Sequence, residues 1–368
     1  ATINLSSSDT GEATVSPSTL TFTGNNWNTA RTVTVTGVND SHRDRHQPYR
    51  ISLSAEDQFS NNPEVTTFAG SGSSGSTNAT GTSAKFSLPS GISTDGTNLY
   101  VADYNNHTIR KIVMATGVVS TFAGSPGSSG STNGTGTSAR FNHPDHLTTD
   151  GTNLYVTDAN NHTIRKIVIS TGFVTTLAGS AGSTGSTNGT GTTARFHYPR
   201  GIVTDGTNLY VSDHNNHTIR KIVIATGVVS TFAGSAGSSG STDATGTAAR
   251  FSYPYGITTD GTDLYLTDAG KHTIRKIVIS TGAVTTLAGS GSSGSTDAVG
   301  KAARFNSPYA ITIEGSDLYV ADNSNHKIRK IVLRETATAD VKLHNLDDDT
   351  DATISLASSD TGEATVNP

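Results

Sequence analysis

One block of sequence recurs five times and constrains the fold more than any other feature. Its first copy, Leu99-Tyr-Val-Ala-Asp-Tyr-Asn-Asn-His-Thr-Ile-Arg-Lys-Ile112, returns at Leu154, Leu209, Leu264 and Leu318, at offsets of 55, 55, 55 and 54 residues. A segment that begins with proline, Pro89-Ser-Gly-Ile92 in the first copy, precedes each block. This regular period indicates an array of similar structural units rather than one irregular domain.

Each repeat predicts four short β-strands, which in the first copy cover residues 92–95, 99–103, 108–114 and 118–122. These runs are rich in Val, Ile, Thr and Tyr and are bounded by Gly, Asn and Asp, as strands and tight turns require. Apolar residues occupy both parities of the third run, which predicts a sheet buried on both faces. Four-stranded blades packed radially between two neighbours have this property.

The proline-led start, the Leu-Tyr-Val-Ala-Asp strand and the Asn-His-x-Ile-Arg-Lys segment resemble those of the NHL-repeat β-propellers over residues 64–334. The resemblance implies an all-β fold with five blades of four strands. The last repeat has no fourth strand after it, whereas Glu64-Val-Thr-Thr-Phe68 precedes the first complete repeat. We therefore predict that this N-terminal segment pairs with Lys327–Val332 and closes the ring, which would remove an exposed sheet edge.

The two ends of the chain carry nearly the same sequence. Residues 1–17 and 352–368 are identical at fourteen of seventeen positions. We infer that the chain spans one long repeat and the start of the next, so that neighbouring copies are its expected partners. The strand Thr2–Ser6 is then a candidate for pairing with a neighbouring copy, by strand addition.

Residues 1–58 and 339–368 alternate polar and apolar residues, which predicts sheets with one buried face. The stretches around Trp27 and from Ala339 to Asp349 resemble Calx-β-like surface repeats. This resemblance implies a small Ig-like β-sandwich built from both chain ends, with the propeller inserted between them. It also implies a Ca²⁺ site at an acidic junction, here formed by Asp347, Asp348, Asp349 and Asp351, although a solvated acidic turn explains the same run.

Composition narrows the classes of function. The net charge is −5, which disfavours nucleic-acid binding because polyphosphates need a basic surface. The sequence has no apolar run of about 18 residues, so we predict no membrane-spanning helix. The chain has no cysteine, which excludes thiolate catalysis and cysteine metal sites. The abundance of Thr, Ser and Gly leads us to expect an extracellular, cell-surface location.

Five histidines and five aspartates recur at equivalent positions and offer either a ring of metal or acid–base groups or a structural device. Catalysis needs asymmetry between an acid and a base, and fivefold recurrence argues against that. We expect each side chain to satisfy backbone groups in its own blade turn. These residues are His107, His162, His217, His272 and His326, and Asp103, Asp158, Asp213, Asp268 and Asp322.

Two positions per blade vary instead of recurring, namely the residue after the proline and the residue after the repeated aspartate. Both positions should lie at one end of the propeller channel, because the first strand is the innermost. Tyr and His beside Asp and Arg suit a glycan or a peptide ligand, although unconstrained surface drift is the alternative. The candidate binding residues are Ser90, Tyr104, Asp145, His146, Arg200, His214, Tyr255, Tyr309 and Asn323.

These patterns favour a non-enzymatic structural or adhesive module of a large tandem-repeat surface protein or filament. The alternative is a lectin-like propeller that binds a surface glycan, peptide or protein through the varied positions. An enzyme, such as the lyases and hydrolases found among similar propellers, is the third hypothesis. It would need His143, Asp145, His146 and His197 to converge around a metal.

Overall fold

A computed structural model gives the protein an all-β architecture. The chain divides into a terminal unit, residues 1–65 with 334–368, and a repeat unit, residues 66–333. The boundaries 1–58, 64–334 and 339–368 stay predictions. The residues that the structure describes are 2–7, 13–21, 31–37, 49–56, 66–315, 317–333, 341–343 and 352–356.

Strands from both chain ends pair in the terminal unit. One sheet has the order β28-β5-β1-β3 and the other β2-β4-β29, and all pairs are antiparallel. A Calx-β-like sandwich in this unit stays a prediction. The strands are β1 (Thr2–Ser7), β2 (Ala13–Ser16), β3 (Thr19–Thr21), β4 (Arg31–Gly37), β5 (Tyr49–Glu56), β28 (Val341–Leu343) and β29 (Ala352–Leu356).

The repeat unit forms five antiparallel blades, each from one copy of the repeated block. In blades 1 to 3 a two-residue strand extends the outer edge of four longer strands. The strands are β6 (Ala79–Thr80), β7 (Pro89–Thr94), β8 (Asn98–Asp103), β9 (Thr108–Val113) and β10 (Val118–Ala123) in blade 1; β11 (Gly134–Thr135), β12 (Pro144–Thr149), β13 (Asn153–Asp158), β14 (Thr163–Val168) and β15 (Phe173–Ala178) in blade 2; and β16 (Gly189–Thr190), β17 (Pro199–Thr204), β18 (Asn208–Asp213), β19 (Thr218–Val223) and β20 (Val228–Ala233) in blade 3.

Blade 4 has four strands, and the described part of blade 5 has three. They are β21 (Pro254–Thr259), β22 (Asp263–Asp268), β23 (Thr273–Val278) and β24 (Val284–Ala288), followed by β25 (Pro308–Glu314), β26 (Asp317–Asp322) and β27 (Lys327–Val332). Short 3-10 turns join the second and third strands at Tyr104–Asn106, Ala159–Asn161, His214–Asn216, Ala269–Lys271 and Asn323–Asn325, and others lie at Gly81–Ser83, Gly136–Ser138, Gly191–Thr193, Gly246–Ala248 and Gly300–Ala302.

The first strands of successive blades pack against one another, which makes them the innermost strands of the propeller. Glycine permits this approach in blade 3, where a Cβ on Gly201 would lie only 2.2 Å from the carbonyl oxygen of Tyr255 in blade 4. Blade 2 carries His146 where the other repeats have Gly or Ala, so an imidazole replaces a hydrogen at this position. The inner face of the propeller is therefore not fivefold symmetric.

Apolar side chains fill the interfaces between blades. Tyr100 and Ile109 of blade 1 belong to one buried cluster with Leu147, Leu154 and Val156 of blade 2. Equivalent clusters join blades 2 and 3, 3 and 4, and 4 and 5. Each fully buried Leu, Ile or Val contributes roughly 1.5–3 kcal/mol relative to an exposed side chain, so these junctions hold the array together.

Within the described residues the predicted closing pair is not formed, whereas Glu64 and Val65 of the predicted closing strand lie outside them. Thr66, Thr67 and Phe68 form no strand, and among the described residues β27 pairs only with β26. Ile92 of blade 1 is 60% exposed, whereas its counterpart Ile202 in blade 3 is 4% exposed.

Candidate functional site

The repeated aspartates join the turn of their own blade to the segment that leads into that blade, where we had expected contacts with backbone groups of the turn alone. One carboxylate oxygen of Asp103 accepts the backbone N–H of Ser87 at 2.7 Å. The other accepts Asn106 Nδ2 at 2.7 Å and Arg110 NH1 at 2.9 Å. Both members of the Asp103–Arg110 pair are fully buried, so this carboxylate is structural.

The repeated arginines fasten the long loops to the blades. Arg110 donates to the carbonyl oxygens of Lys85 and Thr77 at 2.8 and 3.1 Å, and its guanidinium lies 5.0 Å from the ring centroid of Phe86. The same residue types recur around Arg165, Arg220, Arg275 and Arg329. These five arginines are buried and paired with acidic neighbours, so they form no basic surface band.

The repeated histidines join consecutive blades, which corrects our expectation that they act within one turn. Each adopts the left-handed conformation after its 3-10 turn, with φ of 59° at His107. In four blades its Nδ1 accepts a backbone N–H from the segment that leads into the next blade, at distances of 3.0–3.3 Å. The donors are His143, Tyr198, Tyr253 and Ser307.

Most of the varied side chains from blades 2 to 5 meet at the inner strands. We define the axial cluster as Asp145, His146, Arg200, His214 and Tyr255. Asp145 Oδ2 accepts Arg200 NH1 at 2.5 Å and the Tyr255 hydroxyl at 3.3 Å, while Oδ1 lies 3.1 Å from His146 Nδ1. A blade 2 carboxylate thus holds groups from blades 2, 3 and 4 in one network.

Aromatic rings extend the axial cluster toward solvent. Tyr255 stacks on Tyr309 of blade 5 with ring centroids 4.5 Å apart and an interplanar angle of 5°. His146 and His214 meet the Tyr255 ring edge-on at 5.8 and 5.6 Å. Tyr309 is 38% exposed, and Arg200 and His146, which both contact the Tyr255 ring, are also partly exposed.

The surroundings of Asp145 and His214 shift the pKa values of both side chains. Burial would raise the pKa of Asp145, but the hydrogen bond and charge of His146 and the charge of Arg200 hold it well below its ordinary value. Burial lowers the pKa of His214 to about 4, although its contact with the Pro254 carbonyl opposes this shift. At neutral pH the cluster therefore holds an ionised Asp145 and a neutral His214.

The structure does not bring every predicted residue into the axial cluster. Ser90 donates its hydroxyl to the Asp145 carbonyl oxygen at 2.6 Å, whereas the Tyr104 ring contacts the His143 ring at a tilt of 52°, with centroids 4.6 Å apart. Asn323 is exposed on the fifth blade. The candidate set omitted Tyr198, whose ring lies 5.8 Å from the Arg200 guanidinium. Tyr198 lies directly before the repeated proline, and this feature of the sequence could have identified it as a neighbour of the varied positions.

The metal predictions have different outcomes. Within residues 66–315 and 317–333, as in the rest of the described chain, no three His, Asp or Glu side chains are grouped to hold a metal. His143, Asp145, His146 and His197 therefore do not converge in the way the enzyme hypothesis needs. The Ca²⁺ candidates Asp347, Asp348, Asp349 and Asp351 lie outside the described residues. None of the described helices is long and apolar enough to cross a bilayer.

Fold and sequence together define the class of this protein. Residues 86–112 match the NHL repeat, and the same block builds all five blades. The repeat unit is therefore a five-bladed β-propeller of NHL repeats. The chain is 30% identical over 276 residues to Protein SUPPRESSOR OF QUENCHING 1, chloroplastic, of Arabidopsis thaliana. The aligned region covers 70% of this chain and 26% of that protein.

Two further proteins are similar to this chain. NHL repeat-containing protein 2 of Bos taurus is 34% identical over 180 residues, which is 45% of this chain and 25% of that protein. The chain thus spans about a quarter of the length of these curated relatives. A chain of the solved nidogen/laminin complex is 19% identical with a TM-score of 0.48, covering 67% of this chain and 76% of its own.

Proposed function

We propose that the chain is a non-enzymatic glycan-binding module of a tandem-repeat extracellular surface protein, and that the axial cluster with Tyr309 is its binding face. One observation carries the proposal. Varied side chains of blades 2, 3 and 4 converge on one network, whereas the repeated Asp, Arg and His form structural hydrogen bonds. The varied residues are therefore available for ligand binding, whereas the repeated residues maintain the fold.

The chemistry of this face suits a sugar. The exposed side of Tyr309 offers an apolar platform for a pyranose ring, and its stacking on Tyr255 fixes the orientation of the platform. Arg200 and His146 supply directed donors for hydroxyl or carboxylate groups. Asp145 is already bonded to Arg200, His146 and Tyr255, so it orients these groups rather than serving as a catalytic acid.

A glycan array followed by calorimetric titration tests this proposal. We expect Tyr309→Ala and His146→Gly to weaken binding at least about tenfold, the equivalent of about 1.4 kcal/mol. His146→Gly restores the residue that three other repeats carry, so it should fold normally. Phe173→Ala, an exposed ring on an outer strand, is the matched control. Absence of any glycan ligand, or a peptide ligand found instead, would contradict the assignment.

A structural role in an array is the second candidate function, and a specific observation favours it. The two copies of the terminal sequence occupy different places, because β1 lies between β3 and β5 whereas β29 pairs with β4. Two positions for one sequence suit a module that repeats along a chain, with Calx-β-like sandwiches as the joints. Sequencing of the complete parent gene tests this role, and a gene without a second 351-residue copy would contradict it.

A further inference from the structure

One arginine of the propeller keeps hydrogen-bond donors that the fold does not use. Arg200 donates through NH1 to Asp145, and among the described residues its NH2 forms no hydrogen bond. The repeated Arg220 instead donates through both NH1 and NH2 to four acceptors. The side chain of Arg220 is fully buried, whereas that of Arg200 is 19% exposed. Arg200 therefore retains a donor for a ligand.

The unused nitrogens of Arg200 share one edge of the guanidinium plane. Nε and NH2 carry parallel N–H bonds along this edge, a spacing that matches the two oxygens of a carboxylate. Nε is a buried donor without an acceptor, so a carboxylate bound to NH2 would also supply the acceptor that Nε lacks. NH1 would stay bonded to Asp145. The edge therefore suits a planar carboxylate better than a neutral hydroxyl.

The distribution of acidic groups also favours an anionic ligand at this end of the propeller. Pro144 pairs with Asp158, so the varied residue after each proline lies at the end where the second strands finish. Within residues 66–315 and 317–333, the carboxylates at this end are all buried. The exposed part of Arg200 therefore has no exposed acidic neighbour there. These buried carboxylates are Asp103, Asp145, Asp158, Asp213, Asp268 and Asp322.

The exposed carboxylates of the described propeller lie elsewhere. Asp150, Asp260 and Glu314 are exposed near the turns between first and second strands, at the opposite end. Asp243 and Asp297 lie in the long loops, where they pair with repeated arginines. Salt screens exposed charges beyond about 10 Å at 0.1 M ionic strength, so these groups repel a ligand at the axial cluster only weakly.

We propose that the glycan bound at the axial cluster is acidic and that Arg200 binds the carboxylate of a uronic acid residue. This inference rests on the proposed function and adds the class of sugar and the residue that selects it.

The arrangement around Tyr255 links this carboxylate site to the stacking ring. The Arg200 guanidinium lies 5.4 Å from the centroid of the Tyr255 ring, and the Tyr309 ring lies 4.5 Å from the same centroid. Arg200 and Tyr309 are thus both neighbours of one aromatic ring. A short oligosaccharide would place one pyranose ring on Tyr309 and the carboxylate of an adjoining residue on Arg200.

Calorimetric titration of the unmodified chain with matched sugars tests this inference. The probes are oligomers of galacturonic and glucuronic acid and their methyl esters, which differ only at the carboxyl group. We expect one free acid to bind at least about tenfold more tightly than its ester, because the ester loses the charge-assisted pair of hydrogen bonds. Equal affinity for acid and ester, or binding of neutral glycans alone, would overturn the inference and leave the proposed function intact. Failure of every glycan would contradict both.

A variant of Arg200 tests whether this residue causes the preference. Arg200→Lys keeps a cation beside Asp145 but removes the parallel N–H bonds. We expect the preference for the acid to fall below about threefold, while affinity for the ester stays nearly constant. Lys301→Gln removes a cation that is 65% exposed in a long loop, and as the control it should leave the preference unchanged.

Circular dichroism shows whether each variant is folded. An undiminished preference in a folded Arg200→Lys chain would overturn the role of Arg200. The comparison of acid and ester on the unmodified chain needs no variant, so it decides the class of sugar even if Arg200→Lys does not fold.

Discussion

Two Asp–Arg pairs in this propeller have the same chemical groups but different surroundings. Asp213 and Arg220 lie within blade 3, are 2.9 Å apart and are both fully buried. Asp145 and Arg200 belong to different blades, and Arg200 is 19% exposed. The first pair binds backbone groups of its own blade and of the loop leading into it, whereas the second binds side chains of its neighbours.

This difference separates a structural ion pair from a recognition network. Burial raises the pKa of Asp158 and Asp213, even though arginine opposes the shift. The pKa of Asp145 is lowered instead, because His146 and Arg200 outweigh its burial. Burial thus has the larger effect on the pKa of Asp158 and Asp213, whereas the neighbouring positive charge has the larger effect on the pKa of Asp145.

The largest effect is expected from breaking a repeated pair. Arg220→Met leaves Asp213 as an uncompensated buried charge and three loop acceptors without their donor. Removing one partner of a buried pair costs about 3–5 kcal/mol. Urea unfolding followed by circular dichroism should therefore show a loss of that size for this variant.

Lys221→Met is the matched control for this experiment, because it removes a neighbouring cation that is only partly buried on the same strand. We expect it to change the free energy of unfolding by less than about 1 kcal/mol. Equal losses in the two variants would contradict the distinction between buried and peripheral charge.

The sequence predicted the units of this fold better than their closure. Its period located the five blades, and the strand predicted at residues 99–103 corresponds to Asn98–Asp103. Local patterns encode such strands and their turns. The small rotation from one blade to the next is set by side-chain packing at the junctions, so the sequence did not reveal that Ile92 and Ile328 stay exposed.

The candidate site was likewise predictable only in part. Variation among the repeats identified Asp145, Arg200 and Tyr255, because positions around one axis must face each other. It did not reveal that Tyr255 reaches past blade 3 to Asp145 in blade 2, nor that His107 bonds to the next blade. Both contacts depend on the spacing between blades, which no single repeat encodes.

The second prediction uses pH to separate the two kinds of aspartate. Burial raises the pKa of Asp268 to about 7, against the opposing hydrogen bond from Ser252 and the charge of Arg275. The folded chain then binds this proton more tightly than the unfolded chain, whose carboxyl titrates near 3.9. Protonation of Asp268 therefore stabilises the fold fully at pH values below that ordinary pKa, and this stabilisation is lost as the pH rises through about 7.

Denaturant midpoints measured from pH 4 to 8 check this sign. We expect the difference between the unmodified chain and Asp268→Asn to shrink as pH rises, because asparagine does not titrate. Asp145→Asn should instead show a nearly constant difference down to about pH 4 and lose it only in stronger acid, since a lowered pKa stabilises at every pH above the ordinary value. Parallel profiles for the two variants would refute the assigned environments.

A smaller effect is expected at the histidines that join the blades. His272→Ala leaves the partly buried Ser307 N–H without its acceptor, and the loss of one such hydrogen bond costs about 1 kcal/mol. His326→Ala is the matched control, because no described blade follows it, and it should change stability by less than about 0.5 kcal/mol. Similar losses for both, measured by urea unfolding at low protein concentration, would argue against a role between blades.

The smallest effect on stability is expected where the binding face is open. Tyr309 contributes one exposed ring to its stack with Tyr255, and such pairs are worth about 0.5–1.5 kcal/mol beyond area burial. Tyr309→Phe keeps the ring and should leave the unfolding midpoint unchanged, while Tyr309→Ala should lower stability by less than about 1 kcal/mol. Because the repeated pairs carry the fold, a ring at the axis can change ligand affinity without unfolding the blades. A loss on Tyr309→Ala as large as that for Arg220→Met would mean that the axial cluster is itself part of the structural frame.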